Sequence, residues 1–200
     1  MNNILLEEAI KYTKRGWFVF PTREKVSEPF QYKTRSGEIK TKILPVKSPY
    51  YKGGFINATR DYDQIVQWWT INPEAGIGIS CGQSGLVVID VDVRNGKQGF
   101  DNFMKMGISD EGALHSMTPS SGLHVIFSGS MNSHADIHNG IDIRSVGAYI
   151  IAPPSWIYED NKKKNYIKLD DWDRFPVTVP ISLQEQLDKL RGKQCFKEKS

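Results

Sequence analysis

Apolar residues recur along this chain at two spacings, one typical of helices and one typical of strands. Helical spacing over residues 3–15 predicts an amphipathic helix. A second helix begins after Asp61 or Asp63, either of which can cap it, and ends before Pro73. Two further helices are predicted, over residues 98–107 and 182–191.

Strand-sized apolar runs occur mainly in the middle of the chain, and the clearest covers residues 86–93. Further strands are predicted over residues 17–20 (ended by Pro21), 76–80, 116–118, 123–127, 141–144 and 148–152. Residues 36–38 indicate a hairpin tip or a mobile loop, and the polar segment around His134 and His138 predicts a loop. Because the strands follow in a run and the helices mostly precede them, the pattern favours an α+β fold.

Composition restricts the class of protein. The 200 residues are 39% hydrophobic and 24% charged, which excludes disordered and collagen-like chains and fits one domain or two small lobes. No apolar run approaches the roughly 20 residues of a transmembrane helix. The N-terminus lacks the pattern of a signal peptide, and two distant cysteines form no disulfide framework. We therefore expect a soluble, intracellular protein with no membrane partner.

The charge is distributed unevenly. Residues 11–60 carry 12 Lys and Arg against 3 Glu, whereas residues 61–142 carry 3 basic residues against 10 acidic ones. A basic segment beside an acidic one is consistent with a nucleic-acid-binding flank next to a metal-binding centre. A solvated basic loop explains the first segment equally well.

Asp90 and Asp92 are the strongest chemical signal. Residues i and i+2 of a strand project from the same face, so an apolar strand would deliver two carboxylates side by side. A cation relieves their repulsion most readily, and hard oxygen ligands suit Mg²⁺ or Mn²⁺. The alternative is a strand end at which both carboxylates are solvated.

Two more polar groups follow along the chain. His124 comes directly after a Gly/Ser turn, whose backbone N–H groups can hold an anion such as phosphate. Asp142 and Arg144 are again i and i+2, so they share a face and can complete a site for metal and phosphate. An ordinary hairpin with a half-buried histidine, and an ion pair within one strand, are the alternatives.

Several motifs occur in a specific order. In chain order they are Gly16-Trp-Phe-Val-Phe-Pro21, Lys47-Ser-Pro49, Gly54-Phe-Ile-Asn-Ala-Thr59, Gly85-Leu-Val-Val-Ile-Asp-Val-Asp92, Thr118-Pro-Ser-Ser-Gly-Leu-His124, Gly140-Ile-Asp-Ile-Arg144 and Tyr149-Ile-Ile-Ala-Pro-Pro-Ser155. This set resembles the bifunctional primase-polymerase (Prim-Pol) domain of the archaeo-eukaryotic primase superfamily. Such domains occur in replication proteins of plasmids, phages and integrated elements.

The resemblance implies a particular version of the α+β class, the two-lobed archaeo-eukaryotic primase fold. Residues 1–158 would form the catalytic domain. Its N-terminal α/β lobe would lie mainly in residues 1–80, and an RRM-like antiparallel catalytic sheet mainly in residues 81–158. Residues 159–200 would form a C-terminal segment with a helix and a polar tail, which could link to a further domain.

The resemblance also implies an activity. The protein would be a template-directed DNA primase/polymerase that transfers nucleotides from dNTPs or NTPs to a 3′-hydroxyl during replication of a mobile element or phage. DNA template and primer, and a helicase domain or protein, would be its partners in the cytoplasm of a bacterial or archaeal host. The rival functions are a non-catalytic single-stranded nucleic-acid-binding module and a metal-dependent nuclease.

Individual residues receive roles in this interpretation. The catalytic residues, which would bind Mg²⁺ or Mn²⁺, are Asp90, Asp92 and Asp142. The residues that would contact the phosphates of the incoming nucleotide are Ser121, His124, Arg144 and Lys47. From the charge pattern, the residues expected to bind nucleic acid are Lys33, Arg35, Lys40 and Lys42.

Overall fold

The structure is a computed structural model that describes residues 3–197, with side chains for residues 3–189. Its α-helices are α1 (Ile4–Lys14), α2 (Tyr62–Ile71), α3 (Gly99–Met106) and α4 (Ile181–Lys197). Its strands are β1 (Val19–Thr22), β2 (Phe30–Lys33), β3 (Ile39–Lys42), β4 (Gly76–Ser80), β5 (Leu86–Val91), β6 (Leu114–Met117), β7 (Leu123–Ser128), β8 (His134–His138), β9 (Ile141–Arg144), β10 (Tyr149–Ala152), β11 (Trp156–Glu159), β12 (Lys162–Asn165) and β13 (Ile167–Lys168). Helices together with antiparallel strands confirm the predicted α+β class.

The helix predictions are largely confirmed. Asn3 caps α1 by accepting hydrogen bonds from two backbone N–H groups, and Asp61 rather than Asp63 caps α2 through the N–H of Gln64 at 2.7 Å. The last helix is longer than predicted, because α4 continues to Lys197. The polar tail predicted from residue 192 therefore overlaps α4, and residues 198–200 lie outside the described residues. No helix within residues 3–197 is long and apolar enough to cross a membrane.

The described chain divides into two compact units. The first contains the residues up to Ser80 together with 150–167, and the second contains residues 81–149 together with those from Lys168 onward.

The first unit is built around a three-stranded sheet in the order β1-β4-β10. The hairpins β2–β3 and β11–β12 form separate two-stranded sheets. Pro21 was expected to end the first strand, but it lies inside β1 opposite Ile77. Since β1 is an edge strand, a missing N–H group is tolerated there.

The second unit contains a six-stranded sheet in the order β13-β6-β7-β5-β9-β8, with β5 antiparallel to both of its neighbours. Alternate residues of β5, beginning with Val87 and Ile89, pack in a hydrophobic core with Phe103 of α3 and with Leu183 and Leu187 of α4. These helices therefore cover one face of the sheet, and the side chains between those core positions point to the other face.

Two sequence-based predictions fail in this sheet. The segment around His134 and His138 is strand β8, not a loop, and it is an edge strand with an irregular register, which hides it from pattern analysis. The strand predicted over residues 86–93 ends at Val91, one residue before Asp92.

Candidate functional site

A row of polar side chains crosses the sheet of the second unit. Asp90 of β5 is paired directly with His124 of β7 and with Asp142 of β9, and His124 is paired in turn with Ser116 of β6. Directly opposite residues of antiparallel strands point to the same face, so all four side chains lie on the face opposite the hydrophobic core. The register thus brings together residues that are up to 52 positions apart, between Asp90 and Asp142.

Arg144 links the two carboxylates of this row. Its guanidinium donates to Asp142 Oδ2 at 2.5 Å and to Asp90 Oδ2 at 3.4 Å from both Nε and Nη2. The second oxygen of Asp142 accepts from the backbone N–H of Asp136 at 2.6 Å. Two carboxylates on adjacent strands would repel each other, so the guanidinium acts as their counter-ion.

His124 is held between a hydroxyl and a carboxylate. The residue is only 5% exposed, its Nδ1 lies 3.4 Å from Ser116 Oγ, and its Nε2 lies 3.8 Å from Asp90 Oδ1. Because a hydroxyl can donate or accept, Ser116 can accompany either neutral tautomer of the ring. Ser116 was not identified from the sequence, since only the pairing of β6 with β7 reveals its position.

Asp92 has different partners. Its carboxylate accepts hydrogen bonds from the backbone N–H of Arg94 at 3.0 Å, from Arg94 Nε at 3.1 Å and from Lys97 Nζ at 3.2 Å. Burial acts to raise the pKa of Asp92, but the hydrogen bonds from Arg94 and Lys97 outweigh burial and lower the pKa to about 2. Asp92 is therefore ionised and paired within its own loop.

Glycines pack closely around the end of β5. A Cβ on Gly122 would collide with the carbonyl oxygen of Val91, and a Cβ on Gly99 or Gly140 would collide with that of Asp92. Gly140 also has a φ of +87°, and its carbonyl accepts from the N–H of Asp92 at 2.8 Å. Close backbone approach explains the glycine at the start of the Gly-Ile-Asp-Ile-Arg motif, whereas no sequence pattern had marked Gly99.

The turn before His124 is closed by Thr118. Ser121 has a φ of +62°, its N–H donates to Thr118 O at 3.0 Å, and the N–H of Gly122 donates to Thr118 Oγ1 at 3.1 Å. These two backbone N–H groups are therefore already bound, which runs against the expectation that they would hold an anion. Ser121 itself is exposed, so its hydroxyl is the group of that residue that can reach a ligand.

The donor set of the row suits a hard divalent cation. Asp90 and Asp142 offer carboxylate oxygens from adjacent strands, and their bonds to Arg144 show that positive charge is accommodated between them. Within the described part of the chain, no three His, Cys, Asp or Glu side chains are grouped as a complete metal site. Asp92 does not join the pair because Arg94 and Lys97 hold it.

The other predicted site residues lie in the first unit. The four cations predicted to bind nucleic acid are all exposed on the β2–β3 hairpin, namely Lys33, Arg35, Lys40 and Lys42. Lys47 has a φ of +69°, and its ammonium lies 5.9 Å from the ring centre of Tyr166.

Comparison with known protein families identifies a relationship. A family model described as bifunctional DNA primase/polymerase, N-terminal, matches residues 9–180. The match includes both the polar row and the basic hairpin. No curated protein sequence matches this chain.

Proposed function

Because the chain belongs to the family of bifunctional DNA primase/polymerase N-terminal (Prim-Pol) domains, we propose that it is a template-directed nucleotidyltransferase. It would join nucleotides from dNTPs or NTPs to a 3′-hydroxyl on a DNA template. The single observation that carries this proposal is the register-aligned row in which Asp90 lies between His124 and Asp142.

The fold is part of the proposal. The first unit would correspond mainly to the N-terminal α/β lobe of the archaeo-eukaryotic primase fold, and the second mainly to its RRM-like catalytic sheet. Support comes from the antiparallel order β6-β7-β5-β9, which carries the polar row on one face. The setting would be replication of a mobile element or phage in a bacterial or archaeal cytoplasm, with a helicase domain or protein as partner.

Asp90 and Asp142 would hold Mg²⁺ or Mn²⁺, and Asp92 would join them by giving up Arg94 and Lys97. When bound, such an ion lowers the pKa of the attacking 3′-hydroxyl and neutralises charge on the leaving pyrophosphate. The protein contributes the fixed positions of its carboxylates, since all three lie on or directly after paired strands.

Arg144 and His124 would bind the triphosphate. A guanidinium pairs with phosphate through parallel N–H donors, and Arg144 already lies against both carboxylates. His124 would donate from Nε2, the nitrogen nearer Asp90, while Ser116 fixes the ring from the other side. The hydroxyl of Ser121 would provide a further phosphate contact, and the phosphate contact expected of Lys47, in the first unit, stays a prediction.

Primer extension tests the proposal. Asp90→Asn and Asp142→Asn should each reduce extension of a primed single-stranded template by at least about 100-fold, because each removes a charge that positions the cation. The fold should remain intact, since each change preserves side-chain shape. Asp188→Asn on α4 is the matched control, because α4 packs on the opposite face of the sheet.

The same incubation separates the rival functions. Shortening of the labelled strand would indicate a metal-dependent nuclease, and retention of unchanged DNA would indicate a non-catalytic binding module. Undiminished extension by either Asn variant would remove that residue from the proposed metal site.

A further inference from the structure

The hairpin β2–β3 is an exposed ribbon in the first unit. All residues of its two strands are exposed. Its base is held by Ser27, whose N–H donates to Leu44 O at 2.9 Å and whose hydroxyl accepts from the N–H of Leu44 at 2.8 Å. At the tip, the N–H of Thr34 donates to Glu38 O at 2.9 Å. The ribbon is thus fixed in register at both ends while its side chains face solvent.

The register divides the ribbon into two chemically different faces. Phe30 is paired with Lys42, and Tyr32 is paired with Lys40. Paired residues share a face and successive residues alternate, so these side chains lie together on one side of the ribbon. We name this side the aromatic–lysine face, and its members are Phe30, Tyr32, Lys40 and Lys42. The opposite face carries Gln31, Lys33, Ile39 and Thr41.

The aromatic–lysine face combines two kinds of contact that single-stranded nucleic acids use. Phe30 is 41% exposed and Tyr32 is 42% exposed, so both have ring surface open to a ligand. Bases stack on such rings, and ammonium groups contact the phosphates between them. Lys40 forms an exposed ion pair with Glu38 at 3.2 Å, and exposed pairs of this kind are weak enough to exchange for a phosphate.

The spacing of the rings favours a single strand over a duplex. Phe30 and Tyr32 are two residues apart on one strand, which separates them by about 7 Å. Successive bases of a duplex strand are only about 3.4 Å apart along the helix axis. Neighbouring bases can therefore occupy both rings only if they are unstacked from each other, as a single strand permits.

We propose that the aromatic–lysine face binds single-stranded DNA, with bases stacked on Phe30 and Tyr32 and phosphates on Lys40 and Lys42. The inference rests on the proposed function only in taking a single-stranded template as a substrate. It deepens the sequence-based prediction of four DNA-binding cations, because it adds two aromatic residues and assigns Lys33 to the other face.

The test compares two oligonucleotides that share phosphates but differ in bases. Fluorescence anisotropy would measure binding of the full chain to a 20-nucleotide oligo-dT and to an abasic 20-mer. Phe30→Ala/Tyr32→Ala should weaken binding to oligo-dT roughly tenfold or more while leaving abasic binding nearly unchanged. Lys40→Ala/Lys42→Ala should weaken both and flatten the log–log salt dependence by about 1.4.

Matched variants control for charge, ring loss and folding. Lys11→Ala/Lys14→Ala on α1 removes the same charge elsewhere, and Tyr158→Ala/Phe175→Ala removes two exposed rings elsewhere. Both should bind as the wild type does. Phe30→Tyr/Tyr32→Phe should retain the preference for oligo-dT, whereas Phe30→Leu/Tyr32→Leu should lose it. Thermal unfolding of each variant would report the integrity of the fold.

Several outcomes would overturn the inference. Equal losses on both oligonucleotides for Phe30→Ala/Tyr32→Ala would exclude stacking. Losses for Lys40→Ala/Lys42→Ala no greater than those for the α1 control would exclude a specific phosphate contact. If every hairpin variant bound DNA with the affinity of the wild type, the face would not be a DNA-binding surface and would be a candidate surface for a protein partner. None of these outcomes depends on extension activity, so failure here is distinct from failure of the proposed nucleotidyl transfer.

Discussion

At the scale of single residues, His124 and Arg144 approach Asp90 from the two strands that flank it. His124→Ala and Arg144→Ala should each raise the KM for dNTP by roughly tenfold or more, because each would remove a charge-assisted hydrogen bond that we propose to form with phosphate. Affinity for template DNA should change little. Steady-state extension kinetics and DNA-binding titrations would measure the two quantities, and a loss of template affinity at constant KM would contradict the assignment.

Asp92 should make the stability of the fold depend on pH in the acid range. Its pKa in the folded protein is about 2, below the ordinary value of 3.8. A lowered pKa stabilises the fold at pH values above the unfolded pKa, and that contribution is lost as the pH falls through the folded pKa. The difference in unfolding free energy between the wild type and Asp92→Asn should therefore be largest above about pH 4 and should close towards pH 2.

Urea unfolding at a series of pH values would measure this difference. Arg94→Ala should also make the unfolding free energy depend less on pH in this range, since Arg94 provides the hydrogen bonds that most strongly favour the ionised carboxylate. A constant offset between the wild type and Asp92→Asn from pH 5 to pH 2 would contradict the assigned ion pairs.

At the scale of elements, two substitutions distinguish the energetic cost of close packing between Gly140 and the end of β5 from the cost of a positive φ. Gly140→Ala should cost about 2–5 kcal/mol of stability, because it adds left-handed backbone strain to a collision with the Asp92 backbone. Gly147 has a similar φ of +80° but no described atom within 4 Å of an added Cβ, so Gly147→Ala should cost only about 1–2 kcal/mol. Urea midpoints would measure both costs, and equal costs would show that close packing at Gly140 is not important.

The elements also show what sequence patterns can predict. The apolar runs at β5, β7 and β9 are long enough to identify these strands, so Asp90, His124 and Asp142 could be placed on them. The end of β5 could not be predicted from residues 86–93, since apolar residues continue to alternate through Val93 although the strand ends at Val91. The hairpin β11–β12 was not predicted, because the lysines of β12 show no apolar alternation.

At the scale of the whole molecule, the family match ends at residue 180 while the core of the second unit continues beyond it. Leu183 is 0% exposed and Leu187 is 3% exposed in that core. A chain that ends at residue 180 should lose about 3–6 kcal/mol of stability, at roughly 1.5–3 kcal/mol for each buried leucine. A chain that ends at residue 189 retains both leucines and should unfold at nearly the urea midpoint of the full chain.

Urea unfolding of the two shortened chains beside the full chain would test this prediction. Equal stability of all three would show that α4 is dispensable for the core. The sequence predicted the helix α4 but not its place in the core. Burial of α4 depends on its packing against one face of the sheet, which the sequence pattern of the helix does not show.

The alternation of the polar row with the core has a consequence for insertions and deletions. On β5, Asp90 lies between Ile89 and Val91, which belong to the core, and a one-residue slip would exchange the two faces. A single inserted or deleted codon within β5, β7 or β9 would turn the polar side chain of that strand towards the core and the core aliphatic residues of that strand towards the opposite face. Length changes should therefore be tolerated in the exposed turn at Gly147 but not in these strands. This constraint on strand length comes from the core residues that flank Asp90, and it therefore holds whether or not the polar row is catalytic.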